Sequence, residues 1–224
     1  MKYSICEKTL SKARLKKYSL ACGMNKNKTI WLYQCNLKLS QRFYGVIGLF
    51  EVMLRNAINE HYKQQFDDED WIINQSAPGC LLAEDKEVID KTYKDFTAKG
   101  VYTNDKMVAS FTLGFWTYLF TRRNYRIGKK TLLQIFPYRT HGVMQRDVYR
   151  ELTEIREFRN RIAHYEPICF DASGKVSTVF VRHHYELICK YINFMGVSVD
   201  SALCFIEKPD TIIRQLEEFY RHKI

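Results

Sequence analysis

The residues best suited to chemistry in this chain are an Arg-Asn pair followed by a histidine, and the pattern occurs twice. The stretch FRNRIAHYEP, Phe158 to Pro167, holds Arg159, Asn160 and His164, and the stretch LRNAINEHY, Leu54 to Tyr62, holds Arg55, Asn56 and His61. Imidazole titrates near neutrality, so a histidine can take or give a proton. Arginine presents a permanently charged, planar donor fork that suits phosphate. An asparagine amide can orient either group. RNA cleavage needs few parts beyond these, because the 2′-hydroxyl is an internal nucleophile. A base must take its proton, an acid must protonate the leaving 5′-oxygen, and a cation must offset the charge on the phosphate. One histidine cannot easily be base and acid at once, so a symmetric dimer that brings two motifs together is chemically attractive.

The two stretches read differently. Asn160 and His164 are four residues apart and share a helix face, with Arg156 one turn earlier on the same line and Ile155 and Ile162 directed to the core. A polar helix end is the competing reading, since cationic His and Arg also suit the helix dipole there. Arg156 and Arg161 are accessory phosphate contacts or solvated charges, and Tyr165 and Glu166 shape the turn after His164. In the earlier stretch Glu51 and Arg55 are spaced for an ion pair along the helix. His61 falls about 120° from Arg55 around a regular helix. It is expected at the surface, with Arg55 and Asn56 supporting the site or touching RNA. His141, His183 and His184 are also expected at the surface.

The elements that must position these groups are helical. Helices are expected over Ser11 to Cys22, Thr29 to Leu37 and, capped by Ser40, on to about Gln65, with Phe43, Ile47, Phe50, Leu54 and Ile58 as one apolar stripe. A charged helix from about Ala83 to Lys99 precedes one capped by Asn104. That second helix runs through MVASFTLGFWTYLF, which is apolar nearly all round and reads as core. A further segment, Lys129 to Phe136, stops at Pro137. The motif helix starts near Val143 and ends before Pro167. DASGK, Asp171 to Lys175, is a turn, and helices at about 178–196 and 210–221 complete the chain. The expected fold is an all-α helical bundle with additional helices and no significant sheet. It forms a single domain over 1–224: a basic N-terminal extension at 1–40, a helical core at 41–196 that carries the motif, and C-terminal helices at 197–224.

Charge points to a polyanion. Residues 1–42 hold ten Lys or Arg and one acid, residues 122–150 hold eight and one, and residues 63–105 hold ten acids against five Lys. Two basic blocks flanking an acidic one make a surface for nucleic acid, or equally a solubilising surface. Seven scattered cysteines without a C-x-x-C pair point away from a disulfide framework or a zinc site and toward reduced thiols in a cytoplasm. No apolar run is long enough for a membrane span, and the basic start lacks the apolar stretch of a secretory signal.

The combination resembles a known family. Arg159, Asn160 and His164 fit the Arg-Asn-x-x-x-His pattern of HEPN-domain ribonucleases. The segments LYQCNLKLSQRFYGVIGLFEVMLRNAI, FTLGFWTYLF and REFRNRIAHYEPI, in that order, are similar to the Abi-like (abortive-infection) branch of that superfamily. The resemblance covers about residues 31 to 168. It implies a helical homodimer with a composite, metal-independent RNase site, no cofactor, and a role in antiphage defence in which RNA cleavage halts host growth. It also implies restraint by an antitoxin or a regulatory non-coding RNA. In the family pattern Glu51, Arg55 and Asn56 match a recurrent motif. Two alternatives stay open: a non-catalytic RNA-binding module, and a regulatory partner subunit in a toxin–antitoxin pair.

Overall fold

A computed structural model describes residues 2–221, except the side chain of residue 220. The helices in chain order are α1 (Tyr3–Leu10), α2 (Lys12–Ala21), α3 (Lys26–Phe66), α4 (Trp71–Asn74), α5 (Lys86–Ala98), α6 (Asn104–Ser110), α7 (Leu113–Tyr118), α8 (Arg122–Ile127), α9 (Gln145–Ala163), α10 (Val179–Phe194), α11 (Val199–Ala202) and α12 (Asp210–Arg221). Short 3-10 turns lie at Ala83–Asp85 and Leu132–Ile135. The fold is all-α. Among the described residues there is no strand, only an isolated antiparallel bridge between Phe170 and Val176. That bridge closes the expected turn, where Asp171 Oδ1 accepts from Lys175 N at 2.9 Å and from Ser173 Oγ at 2.7 Å.

The break expected at Ser40 is not there. α3 is one helix of 41 residues, about 60 Å long. No Gly or Pro interrupts 36–41, and a buried stripe runs on from Leu32 and Leu39 through Phe43, Ile47, Phe50, Leu54, Ile58 and Tyr62. Serine caps well only where a helix begins; tertiary burial on both sides decides against it here.

The chain divides into two compact units. The first comprises Met1–Ile47, Glu157–Cys189 and Asp200–Ile224. Its N-terminal helices carry core residues as well as charge: Cys6, Leu15 and Tyr18 are buried, and Tyr18 meets Tyr33 and Phe170 edge to face. Phe158 of α9 is buried edge-on to Phe43 at 4.9 Å and lies 4.3 Å from the ring of His184. Aromatic pairs of this kind contribute roughly 0.5–1.5 kcal/mol beyond their buried area. His184 is therefore a core residue, 5% exposed, with its Nδ1 at 2.8 Å from the Phe180 carbonyl. The expectation that it lies at the surface is corrected; its ring is held between Phe158 and Phe180. α12 is fixed to α10 by Arg182, which donates to both carboxylate oxygens of Glu217 at 2.8 and 3.0 Å.

The second unit comprises Gly48–Arg156 and Lys190–Val199. Trp71, Trp116, Phe120, Phe136, Leu152 and Tyr191 are buried in it. MVASFTLGFWTYLF is core, as its composition predicts, but it is two helices. Ser110 Oγ turns back to the Met107 carbonyl at 2.7 Å, and Phe111 is extended with its ring stacked on Phe115 at 4.1 Å. The cap of α6 is Thr103, whose Oγ1 accepts from Lys106 N. Asn104, the expected cap, instead donates its amide to the Glu69 carbonyl and accepts from Asn59.

Candidate functional site

The motif lies at the C-terminal end of α9, and burial sets its orientation. Phe158 and Ile162 are 1% and 5% exposed, which leaves Asn160 and His164 in solvent and Arg159 half-buried. His164 N donates to the Asn160 carbonyl at 2.9 Å and ends the helical pattern. Tyr165 N then donates to Ile162 O at 3.0 Å and Glu166 N to Arg161 O at 2.9 Å, a pair of hydrogen bonds that reverses a chain leaving a helix. The reversal puts Tyr165 at φ +56°. Glycine usually holds that place, because a side chain there costs roughly 1–2 kcal/mol.

Three side chains hold the strained turn. Arg14 Nη1 donates to the Tyr165 carbonyl at 3.1 Å. Arg161 Nη2 donates to the Pro167 carbonyl at 2.9 Å, while its Nε lies 3.3 Å from Glu166 Oε2, an ion pair whose alignment falls short of a hydrogen bond. Asn36, 3% exposed on α3, accepts from Ile168 N at 2.8 Å and Cys169 N at 3.3 Å. Strain retained by surrounding contacts is a common property of functional sites.

Two concavities flank this turn, both within the first unit. One, of about 440 Å³, is lined by Arg14, Lys17, Tyr18, His164 and Glu166 among others. The other, of about 450 Å³, is lined by Leu37, Tyr44, Arg159 and Ala163. Tyr165 lines both. Three cationic or protonatable groups therefore surround the first space, and the carboxylate there, Glu166, is already paired with Arg161. Burial raises the Tyr18 hydroxyl far above the ordinary tyrosine range, so it stays neutral. Burial likewise pushes Cys35 up to about 11 and Cys169 up to about 12, which leaves them as unreactive thiols. Among the described residues the imidazole of His164 has no hydrogen-bond partner, and no cluster of three or more His, Cys, Asp or Glu is placed to hold a metal ion.

Arg159, Asn160, Arg161, His164 and Tyr165 belong to the first unit, and Glu51, Arg55, Asn56 and Arg156 to the second. Arg55 is half-buried, with an Nε that meets no hydrogen-bond acceptor among the described residues. His61 is not a plain surface residue. It is half-buried, its Nε2 lies 2.9 Å from Thr131 Oγ1, and burial lowers its pKa below the ordinary 6.5. Arg156 lines a separate cavity of about 470 Å³ with Glu84, Asp85, Phe111, Phe115 and Tyr118. Burial, then the charge of Glu84, raises the pKa of Asp85 there.

Sequence reasoning missed Arg14, Lys17, Asn36 and Tyr44. Arg14 and Lys17 are visible only as part of a basic block; their three-residue spacing puts them on one face of α2 but does not say what that face meets. A signal did exist for Asn36, a polar residue within the apolar pattern of α3. No membrane-length apolar helix occurs among the described residues. No family model matches the chain, and no curated protein or solved structure matches it either.

Proposed function

We propose that the chain is a metal-independent endoribonuclease of the HEPN, abortive-infection type, working as a homodimer in the cytoplasm. The observation that carries this reading is the cleft in which His164 stands beside Arg14 and Lys17, with Arg159 on the far side of Tyr165. His164 handles the proton of the attacking 2′-hydroxyl or of the leaving 5′-oxygen. Arg14 and Lys17 hold the phosphate beside His164, Arg159 stabilises the charge that builds on the phosphorane from the adjoining space that shares Tyr165, and Asn160 orients its neighbours. The new bond joins the 2′-oxygen to phosphorus and the broken one frees the 5′-oxygen, so the products end in a 2′,3′-cyclic phosphate and a 5′-hydroxyl. One imidazole per copy leaves the second proton transfer to the His164 of another copy.

A binding-only module is the second reading, favoured by the exposed Arg14 and Lys17, which line the cleft with His164 and can grip phosphate without cutting it. Incubation of the protein and a His164→Ala variant with RNA in EDTA separates the two. Cutting that is lost in the variant and leaves cyclic-phosphate ends supports the nuclease; RNA retained whole by both proteins supports the binding module.

A further inference from the structure

We propose that the turn after His164 divides a path for single-stranded RNA, with a backbone phosphate held in the Arg14–Lys17 cleft and the adjoining base seated on Tyr44 and Tyr165. The proposal rests on the ribonuclease reading for its choice of RNA, but its binding chemistry stands on the geometry.

The phosphate side is cationic and open. Arg14 and Lys17 are both exposed on one face of α2, and both line the cavity that holds His164. Lys17 Nζ lies 4.7 Å from the ring centre of Phe170, which supports its stem and leaves donors for an anion. Arg14 spends one nitrogen on the Tyr165 carbonyl and keeps the rest of its donor fork. Glu166 is the opposing charge in the cleft, and Arg161 takes it up.

The base side is aromatic. Tyr44 is 68% and Tyr165 69% exposed, and both line the second cavity together with Arg159 and the half-exposed Leu37. Large aromatic rings left in solvent beside a guanidinium are the usual platform for unpaired bases, because every base has a face to stack. Both cavities, at about 440 and 450 Å³, fall within the range of ligand-sized pockets, about 300–1,000 Å³. Tyr165 is the residue common to both; it follows the end of α9 at φ +56° and is largely exposed. Alternation of a cation-lined and an aromatic-lined space across one residue matches the alternation of phosphate and base along a strand. A duplex, with its bases stacked inside, offers nothing to the second space.

The test uses a short labelled 2′-O-methyl RNA, which binds but cannot be cut, titrated at several salt concentrations. Lys17→Gln and Arg14→Gln should each reduce the salt slope of log affinity by about 0.7, the value for one phosphate contact on a single strand. Tyr44→Ala and Tyr165→Gly should each weaken binding about 5- to 100-fold with the slope unchanged. An abasic strand should be insensitive to both tyrosine changes, and Tyr165→Phe should bind as the parent does. Tyr165→Gly keeps the backbone conformation, and circular dichroism checks the fold of every variant. Unchanged slopes in both cation variants would overturn the proposal. So would tyrosine variants that alter the oligomeric mass by light scattering, since the groove would then seat a second copy. Binding as described without cleavage of ordinary RNA leaves the path standing and removes the nuclease. Cleavage that depends on His164 with unaltered binding in all four variants does the reverse.

Discussion

Arg14 donates a hydrogen bond to the backbone carbonyl of Tyr165 at 3.1 Å, across 151 residues of sequence. It ties the basic helix α2 to the residue that follows His164. The contact is exposed, so it contributes about 0.5–1.5 kcal/mol at most. Arg14→Ala should therefore lower urea stability by no more than about 1.5 kcal/mol, and any larger loss in RNA cleavage reflects the lost charge. A variant that fails to fold would show that α2 is held mainly through this arginine and not through Leu15 and Tyr18.

Tyr165→Gly should not destabilise the protein. Removing a side chain from a backbone at φ +56° relieves roughly 1–2 kcal/mol of strain, and the added freedom of the unfolded chain offsets about 0.5–1 of that. The expected change is between zero and about 1.5 kcal/mol of stabilisation by urea unfolding, together with weaker RNA binding. Opposite signs for stability and binding mark a strained residue retained for function.

Asn36→Leu should destabilise by about 2–6 kcal/mol. The substitution keeps the branching at Cγ in a larger side chain but leaves the buried N–H groups of Ile168 and Cys169 without their acceptor, at about 1–3 kcal/mol each. Asn36→Asp, which keeps an acceptor oxygen, should recover part of that loss. Equal damage from both would show that the amide donor, and not the acceptor, holds the turn.

Two titrations shape the acid side of the pH profile. Glu217, hydrogen-bonded to Arg182, has its pKa held below the ordinary 4.5. The unfolded chain then binds the proton first, so this stabilisation is present above pH 4.5 and is lost as pH falls through the folded value. His61 has its pKa lowered by burial, so the unfolded chain again binds the proton first, and stability declines as pH drops below 6.5. Unfolding midpoints followed from pH 7 to well below pH 4 should decline in two steps. Glu217→Gln should shrink the lower step, to which Asp171 and Asp200 also contribute, and His61→Gln should remove the upper one.

The sequence was most informative where burial repeats at helical spacing. α5, α9, α10 and α12 all lie near their expected positions because Val148, Leu152, Ile155 and Ile162, for example, leave one solution for the buried face. It misled where a residue has two uses. Ser40 reads as a cap but lies inside α3, and Asn104 yields the cap to Thr103 so that its amide can bond Glu69. His184 is polar by type, yet two phenylalanines and a backbone carbonyl make the core its better place. At the candidate site the residues after α9 were legible as a local pattern. Arg14 and Asn36 were not, since their partners lie 151 and 132 residues away.

The measurement that bears most directly on the central claim is the cleavage of RNA in EDTA by the protein and by His164→Ala, with the fragment ends identified. The account predicts metal-independent cutting that leaves 2′,3′-cyclic phosphate and 5′-hydroxyl ends and drops about 10²- to 10⁴-fold in the variant. Equal cutting by the variant, or activity abolished by EDTA and restored by a metal ion, would contradict it.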